Sequence, residues 1–302
     1  MRILLVDPSR ETLTSTAELL RAGDYEVRAF TDEREALGCL AEDPRIDALL
    51  TSLELRAMSG LELCWQARSV AGDRRPLYIL VMSPDIERGN LIEALDSGAD
   101  DFISLPPERE ELYARLRTGC RITAMQRDLI HLASTDSLTG AFNRRAFFLA
   151  AEEICRTATA TGEPVSAIML DIDHFKSIND LYGHDIGDTV LRSVASEAAH
   201  VDDAVFGRLG GEEFALVLDQ CTLEEAGEVA EGLRSVIADL SCAGPQGPIR
   251  LTCSFGIAAF IPGESVDALL KRADLALYDA KKAGRNRVIV FSGAGPAVRA
   301  AS

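Results

Sequence analysis

The sequence has no apolar run that approaches the ~18 residues a membrane-spanning helix requires, so no transmembrane segment is expected. Its opening run, Ile3–Val6, is cut off by Asp7, which argues against a signal peptide. No C-x-x-C pair occurs: the seven cysteines, at 39, 64, 120, 155, 221, 242 and 253, form an odd and unpatterned set. Such a set implies no disulfide framework, and reduced core thiols in a cytoplasmic protein are expected instead. Basic charge is also short, 31 Lys and Arg against 48 Asp and Glu, for a net charge of −17 and a pI near 4.7. That balance argues against a nucleic-acid groove or an anionic membrane surface as partner. An anionic substrate would need metal ions and a local cluster of lysine and arginine. What the chain does have is length and apolar content: 302 residues, 47% apolar, natural for two domains with their own cores.

Residues 1–106 alternate short apolar runs with helix-like stretches. Strands are expected at Ile3–Val6, Glu26–Phe30, Ala48–Ser52, Tyr78–Met82 and Phe102–Ser104, and helices at Glu11–Arg21, Glu33–Ala41, Gly60–Val70 and Arg88–Ser97. This alternation predicts a doubly wound parallel sheet with helices on both faces and a functional crevice at the carboxyl ends of the strands.

In Ile3–Asp7, the Met58-Ser59-Gly60 turn, Ser83, the run Ser97–Phe102 and Pro106, the segment resembles a response-regulator receiver domain. That chemistry needs an aspartate at the end of the third strand, two acids after the first strand and a lysine before the last proline. Aligned on Gly60, the phosphoacceptor position holds Ser52; Pro8 replaces the second acid beside Asp7, and Leu105 takes the lysine position. A serine hydroxyl cannot form the acyl phosphate, so the resemblance implies a pseudo-receiver with no phosphoacceptor. Docking, dimerisation or sensing by another route is its expected role. Glu54, two residues past Ser52, could supply a negative charge but also reads as an ordinary surface glutamate.

Residues 107–134 are expected to form a connecting helix, opened by Pro106-Pro107 and with acids Glu108, Glu110 and Glu111 in its first turn. Ile122, Met125, Leu129 and Leu132 recur at 3-4-3 spacing, a seam suited to a coiled coil with a second copy, while Leu112 and Leu116 fall out of that register. A helix packed on its own domain is the competing reading.

Residues 135–293 carry the chemistry. The stretch Arg208-Leu209-Gly210-Gly211-Glu212-Glu213-Phe214, flanked by apolar residues, predicts two strands joined by a two-glycine turn with two carboxylates at the tip. Val165–Leu170 predicts a strand ending in Asp171-Ile172-Asp173-His174-Phe175-Lys176. Asp171 could reach the hairpin glutamates, and carboxylates with a backbone carbonyl are hard oxygen donors suited to Mg2+ with phosphate oxygens completing the shell. N–H groups of the His174–Lys176 turn could face phosphate. Asn179 and Asp188 could read a purine edge. A carboxylate accepts from the N1–H and 2-amino group of guanine, whereas adenine offers no donors there. Lys281 and Arg285, at i and i+4, are expected on one helical face, able to hold a triphosphate. Each motif alone has an ordinary reading: a solvated turn, a capping pair, a complement to the helix dipole, or a structural His184.

In this order the stretches resemble the GGDEF-domain diguanylate cyclases. The resemblance implies a mainly antiparallel central sheet wrapped by helices, of nucleotidyl cyclase or palm type. It also implies condensation of two GTP into cyclic di-GMP with release of two pyrophosphates, in an antiparallel homodimer formed through the linker helix, the receiver-like domain or both. Carried over, Asp171, the Ile172 carbonyl and Glu212 would bind metal, expected as two Mg2+ per site with Mn2+ as an alternative. Lys176 would stabilise transition-state charge, and Glu212 or Glu213 would act as base. His174 and Phe175 would border the phosphates held by Lys176, Lys281 and Arg285, and Asn179, His184 and Asp188 would lie at the nucleoside. Members with product inhibition carry Arg-x-x-Asp shortly before the hairpin; here Val201 and Ala204 hold those positions, so no such site is expected. A non-catalytic nucleotide- or partner-binding module is the alternative, and a cyclase using ATP is disfavoured by Asp188. Ser241–Pro248 reads as a loop, Leu251–Phe260 as a returning strand, and residues 294–302 as a disordered tail.

Overall fold

The computed structural model describes residues 1–72, 75–84, 93, 95–244 and 247–292. The chain divides into two compact units, Met1–His131 and Leu132–Ser302.

The first unit is a five-stranded sheet of order β2-β1-β3-β4-β5, with every neighbouring pair parallel. Its strands are β1 (Arg2–Val6), β2 (Glu26–Phe30), β3 (Ala48–Ser52), β4 (Tyr78–Ser83) and β5 (Asp101–Ser104). Helices α1 (Arg10–Ala22), α2 (Glu33–Glu42) and α3 (Gly60–Ala71) are capped by the side chains of Ser9, Asp32 and Ser59, which accept from first-turn N–H groups. Side chains alternate across each strand. Leu4, Val6, Leu49, Ile79 and Val81 pack with α2 and α3 on one face. Ile3, Leu5, Leu50 and Leu80 pack with Ala17 and Leu20 of α1 on the other. The helix expected at Arg88–Ser97 lies outside the described residues apart from 93 and 95–97.

Helix α4 (Arg109–Ser134) buries one set of its apolar residues and leaves the other exposed. Leu112 and Leu116, out of register with the seam, are fully buried in the second of these cores. Burying each stabilises that packing by roughly 1.5–3 kcal/mol. Ile122, Met125, Leu129 and Leu132 remain 37, 59, 64 and 72% exposed. Among the described residues no helix is long and apolar enough to cross a membrane.

The second unit is built on a six-stranded sheet of order β13-β12-β7-β9-β8-β6. Its central pairs, β12 (Cys253–Ala259) with β7 (Ser166–Ile172), β7 with β9 (Glu213–Leu218) and β9 with β8 (Ala204–Gly210), are antiparallel. The edge strands β6 (Phe142–Asn143) and β13 (Val288–Val290) are parallel to their neighbours. The mainly antiparallel sheet expected from the motifs is therefore present. Ile168, Leu170 and Ile172 of β7 join the core that includes α6 (Phe175–Tyr182), α7 (His184–Ala198) and α8 (Leu223–Asp239). Ala167 and Met169 join the core that includes α5 (Arg144–Thr161) and α9 (Val266–Lys282). Helix α9 lies so close on β12 that a Cβ at Gly256 would overlap the Leu277 amide and the Ala273 carbonyl. Glycine there lets α9 approach the sheet.

Two local expectations fail. Ser241–Pro248 is not a plain loop: Ser241–Gly244 (β10) and Gly247–Arg250 (β11) form an antiparallel ribbon, with Cys242 opposite Ile249. Both side chains are buried in the core, and that burial outweighs the turn composition. Pro248 is tolerated because the ribbon is only two strands wide. The hairpin turn is also not two glycines. Gly210 still pairs with Glu213 after an irregularity at Arg208–Gly210, so Gly211 and Glu212 make the turn. The tail after Ser292 lies outside the described residues.

Candidate active site

Asp171 is the penultimate residue of β7, in register with Glu213 of β9 on one side and Ser254 of β12 on the other. It is 6% exposed. Its Oδ2 lies 2.8 Å from Lys281 Nζ, carried by the last turn of α9. Burial pushes the Asp171 carboxyl up to about 6; Lys281 opposes that rise, and Glu212 and Glu213 add to it. Three acids thus crowd one strand end, with Lys281 paired to the buried one. Glu212 is half-buried in the turn and Glu213 exposed at the start of β9.

The turn is fixed from behind. Gly211 adopts φ +53, a conformation glycine takes freely. Arg208 Nε donates to the Gly211 carbonyl at 2.8 Å, and Arg208 Nη1 reaches Asp136 at 3.0 Å. Burial raises the Asp136 carboxyl, but hydrogen bonds from Thr139 and Arg208 outweigh it and hold the group below its ordinary value. The sequence reading placed Arg208 within the motif without a role; its two contacts tie the Glu212 turn to the segment entering the domain.

The residues expected at phosphate and nucleoside cluster on α6 and α7, which follow β7 directly. His174 sits at φ +58 ahead of α6 and is exposed, as is Lys176; Phe175 is buried. Asn179 is half-buried, and its Oδ1 is fully buried with no hydrogen-bond partner among the described residues. His184 is the exposed first residue of α7, and Asp188 lies one turn on, half-buried. Ile172 ends β7 and is buried. Val201 precedes β8, and Ala204 is its first residue.

The shared helical face expected for Lys281 and Arg285 does not form. Helix α9 ends at Lys282, Gly284 takes φ +113 and Arg285 φ +63, and the Arg285 amide donates to the Ala280 carbonyl. Positive φ at two successive residues ends the helical repeat, so the i, i+4 relation carries no facing geometry. Lys281 goes to Asp171, and Arg285 projects, exposed, from the following turn.

That turn is held by Asp173, a residue for which sequence reasoning assigned only capping or solvation. Its buried carboxylate accepts from Thr252 Oγ1 at 2.7 Å, Ser254 Oγ at 2.7 Å and the Asn286 amide at 3.0 Å. Asp173 therefore ties the exit of β7 to β12 and to the residue after Arg285.

In the first unit, Ser52 ends β3 and its hydroxyl donates to Asp7 Oδ2. Asp7 Oδ1 accepts from the Ser9 amide at 2.7 Å, and Glu54 is exposed.

A split acid site at a strand end and hairpin turn thus lies on an α/β domain with a mainly antiparallel central sheet. The chain belongs to the GGDEF diguanylate cyclase family: the model described as "Diguanylate cyclase, GGDEF domain" matches residues 133–287, and that of the response regulator receiver domain matches 3–117. Response regulator PleD of Caulobacter vibrioides is 34% identical over 301 residues, 95% of this chain and 65% of PleD. Diguanylate cyclase DgcM of Escherichia coli O157:H7 is 42% identical over 261 residues, 81% of this chain and 62% of DgcM. The chain thus spans less than two thirds of either relative. Among solved structures, the coiled coil and GGDEF domain of DgcB from Caulobacter crescentus, in complex with c-di-GMP, matches with TM-score 0.54 and 33% identity, covering 59% of this chain and 98% of that one. Diguanylate cyclase SiaD of Pseudomonas aeruginosa, in complex with its activator SiaC, matches at TM-score 0.52 and 35% identity, covering 60% and 72%.

Proposed function

We propose that this chain is a diguanylate cyclase that condenses two GTP into cyclic di-GMP and two pyrophosphates. The observation that carries the reading is the buried Asp171 carboxylate at the end of β7, paired with Lys281 and in register with Glu213 beside the Glu212 turn. A buried acid crowded by two others suits a divalent cation better than it suits water. Among the described residues no group of three or more His, Cys, Asp or Glu converges to hold a metal unaided. Asp171, the Ile172 carbonyl and Glu212 would therefore hold Mg2+ only with nucleotide phosphate oxygens completing the shell. Bound there, Mg2+ would lower the pKa of the attacking hydroxyl and neutralise the leaving group.

The chain's own residues do the rest. Lys176, Lys281 and Arg285 hold phosphates, with the His174–Lys176 backbone facing them. Lys281, here paired with Asp171, would be free to reach the triphosphate with a cation beside that carboxylate. Asn179 and Asp188 take guanine, and His184 borders the nucleoside. Glu212 or Glu213 accepts the 3′-hydroxyl proton as that oxygen attacks the α-phosphorus of the second GTP, in line with departing pyrophosphate. One domain binds one GTP, so two domains must face each other, and holding them there supplies much of the rate. The exposed seam of α4 pairs two copies. In this organisation residues 1–106 are a receiver-like module, 107–134 the linker, and 135–293 the cyclase. With Ser52 bonded to Asp7 and Leu105 in the lysine position, the module does not take up a phosphoryl group. DgcM and SiaD, diguanylate cyclases by name, support the reading.

Incubation with Mg2+ and GTP followed by product identification tests it. Cyclic di-GMP from the wild type and none from Glu213→Ala is the expected result. A product made from ATP, or none from either nucleotide, would refute it.

A further inference from the structure

Helices α6 and α7 meet at Gly183, and Gly187, in the first turns of α7, is buried against α6. A Cβ built on Gly187 would overlap Asn179 Oδ1 and lie 3.0 Å from Asn179 Cγ and 3.3 Å from Phe175 Cζ. Phe175 Cζ need give by only a few tenths of an ångström. The Asn179 carboxamide is the group that would have to turn away. Its Oδ1 is already unusual, buried without a partner among the described residues.

We infer that Gly187 is a positioning residue for nucleotide recognition: its missing side chain leaves the space in which the Asn179 carboxamide is held toward the base. This rests on the reading of Asn179 as a guanine contact. Nothing in the backbone demands glycine at this position. Gly187 is not among the residues at positive φ, and alanine is the better helix former. Stability and binding therefore pull in opposite directions at one residue. Alanine would favour the helix and turn Asn179 away from its ligand.

The test uses the full chain as wild type, Gly187→Ala, Asn179→Ala and the double variant, each melted and each titrated with GTP in Mg2+. Gly187→Ala is expected to melt at or above the wild-type temperature. Its KM for GTP should rise about tenfold, the scale of one lost buried hydrogen bond, while kcat stays within about twofold. Asn179→Ala should raise KM similarly, and adding Gly187→Ala to it should change KM no further, because the two act as one unit. A wild-type KM in Gly187→Ala would overturn the inference. So would a full additional loss on top of Asn179→Ala, or a Gly187→Ala chain that does not fold, since each assigns the glycine to something other than Asn179. A wild type that converts no GTP defeats the proposed function and this inference with it; an active wild type with an unmoved Gly187→Ala defeats the inference alone.

Discussion

Replacing Asp171 with asparagine should destroy activity and, at alkaline pH, make the second unit more stable. The carboxyl ordinarily titrates at 3.8; burial raises it to about 6 in the folded chain, with Glu212 and Glu213 adding to the effect and Lys281 opposing it. The folded state therefore holds this proton more tightly than the unfolded one. Below about pH 4 the group is protonated in both states and costs nothing. Between about pH 4 and 6 stability falls as pH rises, and above about 6 the whole cost persists. Two pKa units at about 1.4 kcal/mol each make that cost about 3 kcal/mol. Asparagine keeps the shape and removes the charge. Lys281 loses its partner, but it is part-exposed and water solvates it. Urea denaturation without nucleotide and with divalent cations chelated should show Asp171→Asn more stable by about 2–3 kcal/mol near pH 8, and equal to wild type near pH 4. The chain has one tryptophan, Trp65 on α3, so its fluorescence follows the first unit and should not change, while circular dichroism follows both. If the variant is no more stable near pH 8, or gains as much near pH 4, the carboxylate is not the crowded, cation-seeking group on which the proposed metal site depends.

Added cyclic di-GMP should leave initial rates unchanged, because Val201 and Ala204 stand where an inhibitory site would place Arg and Asp; submicromolar inhibition contradicts this. Met125→Glu with Leu129→Glu, at positions 59 and 64% exposed, should give monomers by sedimentation and lower the rate by more than about tenfold, since positioning the second GTP is lost. Asp173→Ala removes one hydrogen bond from the Arg285 turn and two from Thr252 and Ser254, and should cost at least about 2 kcal/mol of stability while raising the KM for GTP. Incubation with a small-molecule phosphoryl donor should give no alkali- and hydroxylamine-labile phosphoprotein, and Ser52→Asp alone should not restore one, because Leu105 still replaces the lysine.

Most of the architecture was legible because it rests on local pattern. The short, mostly apolar runs at β1, β3 and β4 read as strands buried on both faces, and the capping residues Ser9, Asp32 and Ser59 mark helix starts within a residue or two. The errors fall where tertiary contact overrides local signal. Glycine and proline in Ser241–Pro248 read as loop, yet Cys242 and Ile249 find a core to enter and pull the segment into a ribbon. Lys281 and Arg285 are spaced as helical neighbours, but Gly284 between them adopts a conformation that ends the helix.

Asp171 and Asp173 show where legibility of the site stops. Both are buried carboxylates two residues apart, and in sequence each is half of one D-x-D. Asp171 meets one lysine and two other acids and is left short of positive charge. Asp173 meets two hydroxyls and an amide from residues 79, 81 and 113 positions away and is satisfied. The physics that makes one a candidate metal ligand and the other an anchor is the count of donors each receives. Those donors arrive from β12, from Thr252 just before it and from the turn after α9, so no spacing within the motif could report them. Gly187 is hidden for the same reason, since its part is a space, defined by the side chain of a residue on another helix. Ligand and base candidates announce themselves by residue type; the groups that aim them are chosen by what the fold brings alongside.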